Sequence, residues 1–214
     1  MMSCLRLKSL AFLVLAIIAL PLAVIAQTGY TQNSGQWHAD VDYRATTHGG
    51  FAFLDKEGIT LLQLEDDFYS KLHSWIQYPG ADSIGLAHAV KFKFSGAVFS
   101  EAQESDDLGY AENYFKGNDP SKWASNVRSF KRLKYPQVYP GIDLLHYSNT
   151  SGIKHDFIVA PNADPSIIQM EIEGAERVVL KNGELSVHTS VGIIKHSAPF
   201  AYQMDQGKLL DAGA

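Results

Sequence analysis

The chain has 214 residues, with 18 Lys or Arg against 23 Asp or Glu and a net charge of −5. That balance excludes the basic face a nucleic-acid partner requires, and it argues against adhesion to an anionic bilayer by charge alone. The only cysteine, Cys4, stands near the N-terminus, so the rest of the chain has no thiol for a disulfide, a cysteine-bound zinc or a thiol nucleophile.

Arg6 and Lys8 form a short basic region, and an apolar run follows from Leu10 to Ala26. Val24-Ile25-Ala26 sets short residues before Gln27, which suits a signal peptidase cutting between Ala26 and Gln27. The alternative is a retained membrane anchor, but the run is short for a spanning helix and Pro21 interrupts it. Cys4 precedes the apolar run and is wrongly placed for lipidation. The expectation is a signal peptide over residues 1–26 and one exported domain over 27–214, secreted or held at the cell surface after passage through the periplasm. Cleavage leaves 188 residues with a net charge of −7, enough for one sizeable core without disulfides.

Period-two alternation dominates the chain beyond Gln27. "GFAFLDKEGITLLQLE" (50–65) reads as two strands around a turn at Asp55–Gly58. "EDDFYSKLHSWI" (65–76) has acids at its start and Phe68, Leu72, Trp75 and Ile76 near helical spacing, which predicts one short helix. In "AHAVKFKFSG", Val90, Phe92 and Phe94 take one face of a strand and Lys91 and Lys93 the other. "SEAQESDDLGY" (100–110) is the most polar stretch and reads as a mobile loop. "DPSKWASNV" (119–127) predicts a helical turn with Asp119 as cap and Pro120 in the first position. In "ERVVLKNGELSVHTS", Asn182-Gly183 is the preferred pair for a type I′ turn. That turn sets Lys181 opposite Glu184, Leu180 opposite Leu185 and Val178 opposite Val187. Together these signals predict an all-β protein: an antiparallel β-sandwich, or an enlarged or double form of it, with at most one or two short helices. No composition break or internal repeat divides the domain.

The richest segment for chemistry is "VYPGIDLLHYSNTSGIKHDFIVAPNADP" (138–165). Alternation places strands at about 142–147 and 153–159 around a five-residue loop, with Tyr147 facing Ile153. Asp143, Leu145, Tyr147, Ile153, His155 and Phe157 then share one face, and Leu144, His146, Lys154, Asp156 and Ile158 the other. A functional reading would use Asp143, Asp156, His146 and His155 as acid–base or metal groups. The structural reading makes Asp143 the cap of free backbone amides beside the Pro140-Gly141 turn and pairs Asp156 with Lys154 or a tyrosine. The structural reading is preferred, because the histidines lack a recognised ligand spacing.

The ordered series "NSGQWHADVDYRA" with Trp37, "AVKFKFSGA", "NYFKGNDPSKWASNVRSFKRLKYPQVYPGIDLLHY", "IKHDFIVAPNADP", "EGAERVVL" and "TSVGIIKHSAPFAYQ" resembles the N-terminal domain of bacterial secreted proteins that carry SBBP (β-propeller-type) repeats. Such proteins are common in Bacteroidetes and often end in a type IX secretion sorting domain. The resemblance covers roughly residues 33–206 and makes structural motif positions of Trp37, Asn113, Asp119, Pro120, Trp123, Pro140, Gly141, Asp143, Asp156, Pro161, Asp164, Pro165, Gly174, Asn182 and Gly183. Asn162 replaces a glycine of that pattern, at a residue that also tolerates positive φ, and His155 replaces a tyrosine. The resemblance implies an extracellular all-β module, with downstream repeats, surface proteins or glycans as partners, and transfers no catalytic residue. Its members run on into further strands, whereas this chain stops at "GKLLDAGA", which reads as a fragment or a truncated reading frame.

No nucleophile elbow, zincin helix, P-loop or dinucleotide fingerprint is present, and no cofactor or metal site is read. The acidic pairs in "LEDDF" and "ESDDLG" lack calcium-loop spacing. Asp82-Ser83-Ile84 fits a short O-glycosylation pattern of exported Bacteroidetes proteins. The expected function is therefore a non-enzymatic exported structural or interaction module. The alternative is a carbohydrate-binding or glycoside-hydrolysing sandwich, which would need paired carboxylates across a cleft or exposed rings from Trp37, Trp75 and Trp123. Core burial is the expected place for those tryptophans.

Overall fold

The computed structural model describes residues 29–77, 85–149, 152–205 and 208–211. The cleavage site at Ala26-Gln27 and the Asp82-Ser83-Ile84 pattern lie outside them. The strands in chain order are β1 (Tyr30–Gln32), β2 (Tyr43–Thr47), β3 (Gly50–Leu54) and β4 (Gly58–Leu64). The helix α1 (Phe68–Gln77) and the strands β5 (Ala87–Ser95), β6 (Gln103–Tyr114), β7 (Ala124–Tyr139), β8 (Ile142–Asn149) and β9 (Gly152–Val159) come next. The series closes with β10 (Gln169–Glu173), β11 (Arg177–Lys181), β12 (Glu184–Thr189), β13 (Gly192–His196), β14 (Tyr202–Asp205) and β15 (Lys208–Asp211).

The main sheet is antiparallel throughout, in the order β10-β5-β4-β3-β2-β1-β7-β8-β9, with β6 on β7 as well. Phe130 of β7 pairs with both Tyr30 and Asp107, and Arg132 pairs with both Tyr147 and Ser105. One edge of β7 therefore carries β1 and then β8, and the other edge carries β6. The ends of the sheet do not pair, so it is no closed barrel. It folds over instead: Phe94 of β5 meets Phe157 and His155 of β9, with ring centroids 5.5 and 5.8 Å apart. This gives the all-β, sandwich-like arrangement that the alternation predicts.

The core lies between the folded-over halves. Tyr30, Ala45, Ala52, Leu54, Leu133, Tyr135, Ile142 and Leu144 are all at most 1 % exposed, and filling that space with apolar side chains is the main force closing the sandwich. Phe94 points into it, and Val90 and Phe92 are buried on the same face of β5, as expected. Lys91 and Lys93 face outward to Asp55 and Glu57, with nitrogen–oxygen separations of 2.5–3.3 Å. A second cluster of Val90, Phe92 and Val187 seats the three-stranded sheet β11-β12-β13 on β5. β14 and β15 form a separate ribbon.

The hairpin of β11 and β12 has the expected register, and Asn182 and Gly183 have φ of 53° and 78° as a type I′ turn demands. Asp119 caps the 3₁₀ turn Pro120–Lys122 by accepting from the Ser121 amide at 3.1 Å, as its sequence predicts. Asp164 and Pro165 repeat the device at Pro165–Ile167.

Three expectations are corrected. The "SEAQESDDLGY" stretch is no loop: from Gln103 onward it belongs to β6. Both faces of β6 are largely wet, so no alternation marks it. Its backbone is held by β7 and by ion pairs of Asp106 to Arg132 and of Asp107 to Arg128. Positive φ at Asp106 and Gly109 accompanies the register shift between Asp107 and Ala111. The tryptophans are not core residues: Trp75 and Trp123 are 43 % and 42 % exposed and Trp37 is half-buried. The third correction is the register of β8 and β9, which is offset by one residue from the expected pairing.

Between β4 and β5 the chain leaves the sheet and returns. Leu64 pairs with Ala87, the Glu65 amide donates to the Leu86 carbonyl at 3.1 Å, and the Leu86 amide donates to Glu65 Oε1 at 2.6 Å. α1 lies in this excursion, as the spacing predicts, and starts three residues after Glu65. None of its residues is buried. Phe68 packs against Gly85, where an added Cβ would come within 2.5 Å of its ring.

Candidate functional site

Asn149 pairs with Gly152, so His146 faces His155 and Leu144 faces Phe157. This is one residue away from the register expected from a five-residue loop, and a slip of one reverses faces. His146, His155 and Phe157 consequently point inward. Asp143, Leu145, Tyr147, Lys154, Asp156 and Ile158 point outward.

The two aspartates take structural roles on that outer face. Asp143 Oδ1 accepts from the Gln137 amide at 2.8 Å, and Oδ2 pairs with Lys134 at 2.8 Å. Gln137 has a φ of 52° in the irregularity between Tyr135 and Tyr139, so Asp143 caps the bulge that lets β7 carry Pro136. The Lys134 ammonium and the Gln137 amide hold the Asp143 carboxyl below its ordinary range. Gly141, φ 75°, completes the Pro140-Gly141 turn. Asp156 accepts from the Tyr147 hydroxyl at 3.3 Å. These carboxylates do not converge on a hollow.

Other motif positions shape the backbone. Asn113 Oδ1 accepts from the amide of Asn126, which has a φ of 58°. Asn162, after Pro161, has a φ of 66° and fills its glycine-like role. At Gly174, φ 83°, a Cβ would stand 2.6 Å from the Ala89 carbonyl oxygen. Trp123 packs edge-on to Phe115 at 5.3 Å near the start of β7.

Two places gather polar chemistry inside or beside the core. The first is a row of histidines. His146 and His155 are 6.1 Å apart, and His155 and His196 of β13 are 6.3 Å apart. Tyr30 and Tyr135 flank His146 at 6.4 and 5.7 Å, and neither nitrogen of His146 has a hydrogen-bond partner. Burial lowers all three histidines: His146 to about 3, with a contribution from His155, and His155 to about 4, with one from His196. No group of histidines and carboxylates among the described residues is arranged to hold a metal.

The second place is a cleft beside Trp37, of about 960 Å³. Its walls are the 33–42 loop, Lys56 from the β3–β4 turn, and Glu101, Ala102 and Glu104 around the start of β6. Asn33 fixes the loop: its Nδ2 donates to the His38 and Val41 carbonyls at 2.8 and 2.7 Å, and its Oδ1 accepts from the Gly35 and Trp37 amides at 3.0 and 3.2 Å. Glu104 Oε1 accepts from Gln32 Nε2 and from the Tyr43 hydroxyl, each at 2.6 Å. Lys56 pairs with Asp42 at 3.1 Å, and the Arg44 guanidinium lies 4.5 Å from the centre of the Trp37 ring. Desolvation, aided by Glu104, pushes the Tyr43 hydroxyl far above the ordinary tyrosine range. Of these residues only Trp37 stands out in the sequence. The cleft joins segments 32–43, 56 and 101–104, and no local pattern connects them.

A family model described as a domain of unknown function, DUF7948, matches residues 30–211. The chain belongs to the DUF7948 family. No curated protein and no solved structure matches it. The DUF7948 match runs from the first residue of β1 to the last of β15, so the cleft and the histidine row both lie within it. Among the described residues of this DUF7948 chain, no helix is long and apolar enough to cross a membrane. In the cleft, Glu104 is engaged by Gln32 and Tyr43, Asp42 by Lys56, and the Trp37 ring by Arg44 and by Tyr114, whose ring centroid lies 5.6 Å away.

Proposed function

We propose that the chain is a non-enzymatic, exported structural or interaction module of a bacterial secreted or cell-surface protein, and that it works by binding. The observation that carries this reading is how its carboxylates are spent. Asp143 caps a bulge, Asp156 takes a tyrosine hydroxyl, and Asp119 and Asp164 each cap a 3₁₀ turn. A hydrolase needs free carboxyls placed for proton transfer, and these are engaged in holding corners. The signal-like N-terminus supports export. The resemblance to the N-terminal domain of SBBP-repeat proteins supports a place beside downstream β-propeller-type repeats, surface proteins or glycans.

The test has two arms. The full chain, tagged at its C-terminus, is expressed in a Bacteroidetes host, the cells are fractionated, and the product's N-terminus is sequenced. Recovery outside the cytoplasm with Gln27 first is the expected result, and cytoplasmic retention with residues 1–26 intact refutes export. Purified protein is then incubated with a panel of polysaccharides and esters. Turnover that point changes in the cleft abolish would refute the non-enzymatic reading.

A further inference from the structure

We propose that the three-stranded sheet β11-β12-β13 is an acid-released flap, which swings off the main sheet as a unit while the sandwich beneath it stays folded. Its attachment is narrow. Leu185, Val187, Ile194 and His196 share the face it turns to the main sheet. Of these only Val187 is fully buried, against Val90 and Phe92. Beside that contact Thr189 Oγ1 donates to Gln63 Oε1 at 2.8 Å. The chain enters the flap from β10 through Gly174, whose φ is 83°.

Histidines stand at two places on this seam. At the entry, His88 of β5 donates from Nε2 to the Gly174 carbonyl at 2.6 Å. Its Nδ1 accepts from the Ser190 amide at 3.1 Å and lies 2.9 Å from Ser190 Oγ. A carbonyl only accepts and an amide only donates, so these neighbours select the neutral ring with its proton on Nε2. A second proton sets Nδ1–H against the Ser190 N–H. The serine hydroxyl can turn to accept it, but the amide loses its partner.

Further along the seam, the half-buried His196 of β13 lies 4.7 Å from Phe92 and 6.3 Å from His155 of β9. His155 meets His146 from β8, Phe94 from β5 and Phe157 of its own strand. Asp156 attracts the His155 charge from the outer face, where it holds the Tyr147 hydroxyl. Lys91 and Lys93 of β5 face away, to Asp55 and Glu57. Protonation therefore puts two like charges across the seam among apolar rings, and departure of the flap lets water reach both.

The test is hydrogen exchange of the purified chain at about pH 7.5 and about pH 5, corrected for intrinsic rates, in a urea series below the unfolding transition. Amides of β11–β13 are expected to exchange through an opening of lower free energy than global unfolding, with little dependence on urea. Those of β2–β4 should follow global unfolding. Full hydration of His155, held at about 4 in the fold, favours the opening by up to about 30-fold at about pH 5, and His196, lowered in the same direction, adds to it. The acid response should shrink in His155→Leu, in His196→Leu and in His88→Gln, whose amide can make both bonds without titrating. It should survive in His146→Leu, because His146 stays in the core, whereas global unfolding by acid draws on His146 as well. The inference is overturned if β11–β13 and β2–β4 share one protection and one urea slope, or if acid does not favour the opening. Both results need only the wild-type chain. An acid response unchanged in both His155→Leu and His196→Leu overturns it too.

Discussion

Mild acid should destabilise this fold through the histidine row, over a pH window in which most carboxylates stay ionised. His146 and His155 have an ordinary value of 6.5 and folded values of about 3 and about 4. Both folded values are depressed, so below pH 6.5 the unfolded chain takes up protons that the folded chain refuses. Stability is complete above that value and falls as the pH drops toward the folded values. At about pH 5 each group contributes a difference of roughly 1.5 pH units, or about 2 kcal/mol, which gives ~4 kcal/mol for the pair. That is a large share of the ~5–15 kcal/mol net stability of a domain. The assay is urea unfolding at about pH 7.5 and about pH 5, with the slope of free energy against denaturant checked for constancy. His146→Leu should remove about half of the pH dependence, because the apolar side chain has no proton to take up. A loss below ~1 kcal/mol between the two conditions, or an unchanged dependence in His146→Leu, would refute the reasoning.

Four further outcomes are expected. Gly58 has a φ of 156°, and a Cβ there would stand 2.1 Å from the Phe92 carbonyl oxygen, so Gly58→Ala should abolish the cooperative thermal transition seen by circular dichroism. Gly117, with a φ of 68° and open space around it, should lose only about 1 kcal/mol on change to alanine in the same measurement. Leu133 is fully buried, and Leu133→Ala should cost about 2–5 kcal/mol in urea unfolding through lost burial and the cavity left behind. Asp143→Ala should cost about 1 kcal/mol near neutral pH by freeing the Gln137 amide and Lys134. Because the Asp143 carboxyl is held below its ordinary range, the difference from wild type should be full above that range and fade as acid protonates the folded carboxyl.

Features with a local physical cause were legible in the residues. Val90, Phe92 and Phe94 against Lys91 and Lys93 gave β5 with the correct face inward. Asn182-Gly183 gave a hairpin with its register, because few other residues accept positive φ at both turn positions. Asp119-Pro120 gave its capped turn for the same kind of reason.

Non-local features did not show in this way. β6 carries acids on both faces, and its pairing with β7 comes from backbone bonds and from Arg128 and Arg132, far along the chain. The β8–β9 register was ambiguous because Leu144-Leu145 and Phe157-Ile158-Val159 satisfy either phase. Assuming a five-residue loop then favoured the wrong one, because Asn149 and Gly152 pair and leave only two residues between the strands. Pro136 gave no hint that a bulge at Gln137, capped by Asp143, would carry β7 past it. The cleft is the extreme case. Gln32, Asp42, Lys56 and Glu104 become neighbours only when the sheet is assembled.

The closed neck at Glu65 and Leu86 separates what holds the sandwich from what hangs on it. The β4–β5 ladder is complete at Leu64 and Ala87, and no residue of the helix between them is buried. The helix is thus a natural cassette: a foreign epitope or reporter grafted onto Phe68–Gln77 would be displayed on a closed stem, with the ladder beneath it undisturbed.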